Sequence, residues 1–322
     1  MPRVAAVDPG TISFDLCVLD DGSPVVERTF ASAELDPGEL IAALEAHGPY
    51  ELIYGPSGYG LPLVPADRVD ERELAEMVLV RRGEEGGVRG MRRLLRALVA
   101  SGLPVIFGPG AIHLPTVPAH RKYNRIDIGT ADKVCAAAWA IADQAARRGV
   151  AYEETSLILL ELGGAFSAAL AVSGGQIVDG LGGSSGPIGA RAAGALDGEV
   201  AYLLGPALTK ETLFSGGSDE VEALVEGALK AARSLTVSVP DPYEIVVSGR
   251  QIARPEVMAA LGDVVTLPAG AASAAARGGA LLADGLAGGA YAPLVTAMRL
   301  REASGSALDH LRVAGAASIE LG

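Results

Sequence analysis

Cysteine is nearly absent from this chain. Cys17 and Cys135 are the only two in 322 residues, and neither has a CxxC partner, which argues against a disulfide scaffold or a thiolate zinc site. Long apolar runs are also missing. No stretch approaches the roughly 20 uninterrupted apolar residues that a bilayer requires, so no membrane partner is expected. Met-Pro-Arg leads straight into a strand-like pattern, without the order of a secretory signal. Basic residues are in deficit, 26 against 39 acidic ones, for a net charge of −13. A nucleic-acid groove needs clustered Lys and Arg, so that class is disfavoured. Anionic small molecules stay open, because helix N-termini and glycine-loop amides bind them locally. Low-complexity tracts are absent too. A cytoplasmic enzyme is the expected class.

What is present is enough apolar material for large cores. Hydrophobic residues make up 49% and charged residues 20% of a length suited to two domains. Val4 to Val7 reads as a short buried strand, followed by the turn Asp8-Pro9-Gly10-Thr11. "SFDLCVL" (13–19) alternates Phe14, Leu16 and Val18 against Ser13, Asp15 and Cys17, the period of a half-buried strand. A turn at residues 20–24 and the return strand "VVERTF" complete a meander. The layout returns in "SLILLELGGAFSAALAVSGGQIVDG" (156–180): strand, Glu161-Leu162-Gly163-Gly164, alternating strand, turn, third strand. Asp8 lies 13 residues before Asp21 of its turn, and Glu161 lies 13 before Gly174. Two acid-x-Gly strand ends at matched spacing suggest a duplicated fold.

Between the copies we expect a strand at 51–55, helices around 71–80 and 89–100, and a strand at 104–108. A helix over 130–149, with Thr130 as N-cap and Gly149 as its stop, marks the junction. The expected domains are therefore 1–130 and 131–322. Further helices are expected near 219–233 and 270–287, with a strand at 243–249 between them, while 310–322 reads as either strand or helix.

An acid-x-Gly turn can face backbone N–H groups toward a phosphate, with the carboxylate holding the waters of a Mg²⁺ ion beside it. The plain alternative is an Asp that ends its strand and caps its own turn; the duplication favours the functional reading. "VDPGT", the mid-chain "ELGG" and the late "VVSGR" (246–250) before an Ala-Gly-rich helix together resemble the acetate and sugar kinase, heat-shock ATPase and actin superfamily. The resemblance implies α/β architecture with duplicated ribonuclease H-like (actin-like ATPase) domains and a nucleotide cleft between them. It further implies that Asp8, Gly10 and Thr11 form the first phosphate loop, with Asp8 as the metal-organising residue. Gly163 and Gly164 form the second loop, and Gly249 and Arg250 lie at the adenosine wall. Glu161 departs from the Asp more usual at the second turn. A buried strand with a Gly turn explains "VVSGR" nearly as well, and Gly278-Gly279 reads equally as a packing notch.

Two local patterns bear on the substrate. Gly-x-Arg-x-x-Gly-x-Leu-Asp, from Gly189 to Asp197, is similar to the acetate kinase segment that carries a catalytic arginine, which makes Arg191 the expected cation at the phosphoryl group. The plain alternative is an arginine pairing with surface acids. "YNRIDIGTADKV" (123–134) is similar to an element of type III pantothenate kinases whose Asp is a base; here that residue is Asp132, with one extra residue after Gly129. Asp132 also suits a helix first turn on electrostatic grounds alone, Asp127 competes with it, and Lys133 competes as a phosphate ligand. A carboxylate acceptor needs cations and no base, whereas an alcohol benefits from the Asp. The whole chain most resembles a predicted butyrate-kinase-like group, whose activity was assigned by similarity.

Other candidates are weaker. His113 and His120, an arginine face formed by Arg89, Arg92, Arg93 and Arg96, Ser184, Ser185 and Gly186 as donors, and Tyr59 as a substrate wall each have an ordinary structural explanation. The expectation is an enzyme using ATP and Mg²⁺ to phosphorylate a small molecule, most simply a carboxylate. The alternatives are an alcohol kinase with an Asp base, or a non-catalytic nucleotide-binding scaffold of the same fold. A dehydratase activator is disfavoured by the missing cluster cysteines. Dimers are common in the superfamily, so a homodimer is an expected state.

Overall fold

The computed structural model describes residues 2–10, 13–31, 36–82 and 90–322. It opens with an antiparallel meander of β1 (Arg3–Pro9), β2 (Ser13–Asp20) and β3 (Ser23–Ala31). Helix α1 (Pro37–His47) leads to β4 (Leu52–Gly55) and β5 (Val64–Pro65). Helices α2 (Glu71–Val78) and α3 (Met91–Ala100) precede β6 (Val105–Phe107). The first sheet runs β3-β2-β1-β4-β6-β5, with β1, β4 and β6 parallel. After α4 (Ala119–Lys122) comes the junction helix α5 (Ala131–Arg148).

The meander then repeats as β7 (Ser156–Leu162), β8 (Ser167–Ser173) and β9 (Gln176–Leu181). Helices α6 (Gly198–Leu204), α7 (Lys210–Leu213) and α8 (Val221–Leu235) follow, then β10 (Glu244–Ser248), α9 (Pro255–Leu261) and β11 (Val265–Thr266). Helices α10 (Ala274–Leu286) and α11 (Ala292–Ala297) come last. The second sheet runs β11-β10-β7-β8-β9. Its kinship with the first extends to register. Asp8 sits opposite Asp15 and Glu161 opposite Ala168. In both copies the second strand slips register ten residues beyond the acid, at Val18/Leu19 and at Ala171/Val172.

Alternate side chains of a strand face opposite ways, and here both faces are covered. Val4 and Ala6 of β1 join a central core that also holds Leu157 and Leu159 of β7, with α5 and α10 between the sheets. Ala5 and Val7 point the other way, into a second core with α1, α2 and α3. Ile158 and Leu160 do the same against α8 and α9. This corrects the half-buried reading of β2. Ser13 through Leu19 are all buried, because α10 covers the face that the polar positions suggested was open.

Helices α5 and α10 touch backbone to backbone. A Cβ at Gly278 would lie 1.7 Å from the Cys135 carbonyl oxygen, so only glycine fits there, and the notch reading of Gly278 holds. Although α10 falls within the stretch expected as the second domain, it packs on β1, β2 and β4 of the first sheet. The two-residue strands β5 and β11 carry too little pattern for sequence reading. In the tail, Leu321 bridges to Arg81. No helix among the described residues is long and apolar enough to cross a membrane.

Candidate active site between the two sheets

The carboxyl ends of β1, β4, β7 and β10 and the N-terminal turns of α5 and α10 open onto one cavity of about 710 Å³. Parallel strand ends and helix N-termini are where α/β folds place ligands, since the exposed amides and the helix dipole favour anions. Asp8 and Gly10 line one side, and Glu161, Gly163 and Gly164 another. Thr130 to Lys133 and Ser273 contribute the two helix starts, and Ser248 to Arg250 the end of β10.

In both acid-x-Gly turns the glycine lies against the carbonyl three residues ahead, that of Ser13 or of Phe166, although their N–H bonds differ. Gly10 N–H donates to the Asp8 carbonyl over 3.2 Å, and a Cβ on Gly10 would press on the Ser13 carbonyl at 3.0 Å. Gly163 N–H donates to the Phe166 carbonyl over 2.9 Å, which leaves equally little room for a side chain. Ser273 caps α10 and donates its hydroxyl to Asp8 Oδ2 at 2.7 Å. Burial, with the nearby Asp132 carboxylate adding to it, pushes Asp8 up to about 7; Ser273 and Lys133 offset this only in part. Thr11 lies outside the described residues.

On the opposite side a single ammonium holds two carboxylates. Lys133 Nζ lies 2.8 Å from Asp132 Oδ2 and also pairs with Glu161 Oε2. Burial disfavours the charged lysine, but the two acids together hold Lys133 above its usual range. Burial likewise works against ionised Asp132, and Lys133 overcomes it and draws Asp132 below the ordinary carboxylate range. Thr130, which was expected to cap α5, instead donates its hydroxyl to Asp132.

Among the described residues lining the cavity, the cationic side chains are Lys133 and Arg250. Arg250 reaches from the end of β10 to Ser13 at the start of β2, donating to its hydroxyl at 3.0 Å. Gly249 has φ of +96° and packs flat on Leu162, where a Cβ would lie 2.3 Å from the carbonyl oxygen. Arg191 is exposed and outside the lining. Its N–H donates to the Ala165 carbonyl (3.0 Å) and its carbonyl accepts from Gly217 (2.8 Å), which stitches its loop behind the second turn.

Asp127 borders the cavity, yet its oxygens accept from Gly129 N–H and from the N–H and hydroxyl of Ser184. It anchors the loop and leaves the serines committed. Tyr59 does form a wall, with the Lys210 ammonium 3.2 Å from its hydroxyl. His113 is buried and His120 exposed, and neither lines the cavity. Arg92 and Arg96 pair with Glu71 of α2, and Arg89 lies outside the described residues.

The donors suit a hard cation that arrives with phosphate. Asp8 is a half-buried carboxylate that forms no ion pair among the described residues, and Ser248 Oγ is buried at the cavity edge without a partner among them. No cluster of three or more potential metal-binding side chains occurs among the described residues. Mg²⁺ commonly uses one or two carboxylates, with waters and substrate phosphates completing its shell, and Asp8 fits that mode. Sequence reading missed Ser273, whose only local signal was a Ser before an Ala-rich helix, and it missed the Lys133–Glu161 pair, which leaves no local signal.

Solved structures share this architecture at low identity. An acetate kinase from Entamoeba histolytica superposes with a TM-score of 0.57 at 11% identity, covering 80% of this chain and 85% of that one. A propionate kinase from Francisella tularensis subsp. tularensis SCHU S4 gives 0.59 at 10% identity, covering 86% and 99%. The fold is thus α/β of the actin-like ATPase type. No curated protein matches the sequence. Residues 6–313 match the family DUF1464, described as protein of unknown function, and the chain belongs to that family.

Proposed function

We propose that this protein is an ATP-dependent phosphotransferase acting on a small carboxylate. The observation that carries the reading is the convergence of two glycine turns, two helix N-termini, Asp8 and two cations on one cavity. That is the equipment phosphoryl transfer needs, since its catalysis is mostly positioning and charge stabilisation.

Gly10, Gly163 and Gly164 bring backbone close to the phosphates. Asp8 would hold the Mg²⁺, which when bound would supply charge neutralisation to the nucleotide phosphates. An acceptor carboxylate oxygen attacks the γ-phosphorus, the bond to the β-phosphate oxygen breaks, and ADP leaves as the anion. No proton moves, because the acceptor is already ionised at neutral pH. Closure of the cleft keeps water from competing.

The choice of a carboxylate rests on Asp132. A base should titrate near the working pH, whereas Lys133 holds Asp132 well below it. The two solved structures reported above are named as kinases of acetate and propionate, which agrees with this reading. An alcohol acceptor remains the second reading, favoured by the position of Asp132 at the cavity wall. Incubating the protein with Mg·ATP, hydroxylamine and a panel of short carboxylates should accumulate hydroxamate. ADP release with alcohols alone, and no hydroxamate from any carboxylate, would support the alcohol reading.

A further inference from the structure

The chain carries two unusual residues at its phosphate turns. One is a lysine directly after the helix-start acid, Lys133. The other is Glu161, a longer acid than the Asp expected at the second turn. The structure joins them: the Glu161 carboxylate meets the Lys133 ammonium, and Asp132 takes a second side of it at 2.8 Å. The Lys133 side chain is 13% exposed and that of Glu161 14%, and both border the cavity. A shorter Asp on β7 would fall about one C–C bond short of the ammonium.

An ammonium has three donors, and two carboxylates leave one for the cavity. The position matters as much as the count. Lys133 lies between the first turn, where it is close enough to act on Asp8, and the second turn, where it pairs with Glu161. Phosphates cradled by both turns pass between them. Arg250 lies at the end of β10 and bonds to the Ser13 hydroxyl beside the first turn, so it approaches the cavity from the side of the first sheet and is not held between the two turns by carboxylates as Lys133 is. Arg191, the cation suggested by local motif, is exposed and outside the lining.

We infer that Lys133 is the catalytic cation that meets the phosphoryl group in transfer, and that Glu161 is a positioning residue that holds it there. This rests on the kinase reading above. Lys133 keeps its proton throughout and forms no covalent bond. Its charge compensates the oxygens of the phosphoryl group as the bond to ADP loosens, and Glu161 spares it from folding onto Asp132 alone.

The test uses the whole protein with MgADP, alone and with aluminium fluoride, which mimics the planar phosphoryl group, in the presence of acetate. Binding is read by calorimetry. In the parent protein aluminium fluoride should tighten MgADP at least about a hundredfold, as transition-state analogues do. Lys133→Met should bind MgADP within a few-fold of the parent and lose that gain. Lys133→Arg should keep part of it, and Glu161→Gln should lose part while MgADP binding stays. Absence of MgADP binding in the parent would overturn the kinase reading itself. Binding of MgADP with no gain from aluminium fluoride in the parent, or an equal gain in Lys133→Met, would overturn the role of Lys133 alone. A purely structural ion pair would lower the melting temperature of Lys133→Met and leave the gain intact. Should Lys133→Met fail to fold, Lys133→Gln paired with Glu161→Gln removes the cation together with one of its two acids and leaves Asp132 its bond from the Thr130 hydroxyl, and the same two outcomes apply.

Discussion

Ser273 donates its hydroxyl to Asp8 Oδ2 over 2.7 Å, although 265 residues separate them in the chain. The same hydroxyl accepts from Ala276 N–H at 3.1 Å and so caps α10. One small side chain thus fixes the start of the last long helix against the end of the first strand.

Ser273→Ala should therefore cost more than an ordinary cap. Losing the cap costs about 1 kcal/mol, and Asp8 loses a half-buried donor as well. The melting temperature should fall by a few degrees, with Ser273→Thr recovering most of it. An unchanged melting temperature would show that this bond ties nothing together.

Glu27 and Arg277 form a second tie across the molecule. The guanidinium Nε and Nη2 meet the two Glu27 oxygens at 2.7 and 2.8 Å, with side-chain exposures of 13% and 19%. Glu27 also accepts from Ala271 N–H at the cavity rim. A bidentate, half-buried pair should couple by about 1–2 kcal/mol in a double-mutant cycle of Glu27→Ala and Arg277→Ala. Additive losses would mean the pair contributes nothing beyond its parts.

Gly278 tests the contact between α5 and α10. An added methyl would meet the Cys135 carbonyl, which is backbone and cannot turn aside. Gly278→Ala should cost about 2 kcal/mol or more through overpacking, despite the better helix propensity of alanine. Gly198→Ala, at a helix start with nothing within 4 Å, is the matching control and should be neutral. Denaturant unfolding of the two variants measures both.

His113 predicts an acid-side loss of stability. Burial, with Lys122 nearby, holds its pKa at about 4 against the Gly110 carbonyl and Asp309, which favour the charged form. The unfolded chain protonates near 6.5, so between these values it binds more protons than the folded state. Stability from this residue is full above pH 6.5 and is lost as pH falls toward 4, by roughly 3 kcal/mol. Urea unfolding at pH 7 and pH 4.5 should show a larger acid loss in the parent than in His113→Gln. Equal losses would contradict the burial of a neutral ring.

Much of the fold was legible because the duplication leaves a repeated signal: Asp8 and Glu161 end their strands at the same distance from matching turns, and glycines follow both. Gly10, Gly163 and Gly164 come to the cavity for that reason, and Arg250 because its strand end lies beside theirs. Arg191 shows the limit of a local motif. A motif fixes a residue's place in the chain, but the bonds to Ala165 and Gly217 decide what its backbone packs behind. The burial of β2 on both faces depended on α10, more than 250 residues later, and its strand alternation carried no trace of that helix. Lys133 and Glu161 lie on a helix and a strand that only the packed sheets bring together.

Calorimetric titration with ATP, with and without Mg²⁺, on the parent protein and on Asp8→Ala tests the central claim most directly. Micromolar binding that Mg²⁺ strengthens, and that Asp8→Ala abolishes or weakens by at least about tenfold, is the expected result, equivalent to some 1.4 kcal/mol. No binding of ATP to the parent, or equal binding by Asp8→Ala, would contradict it.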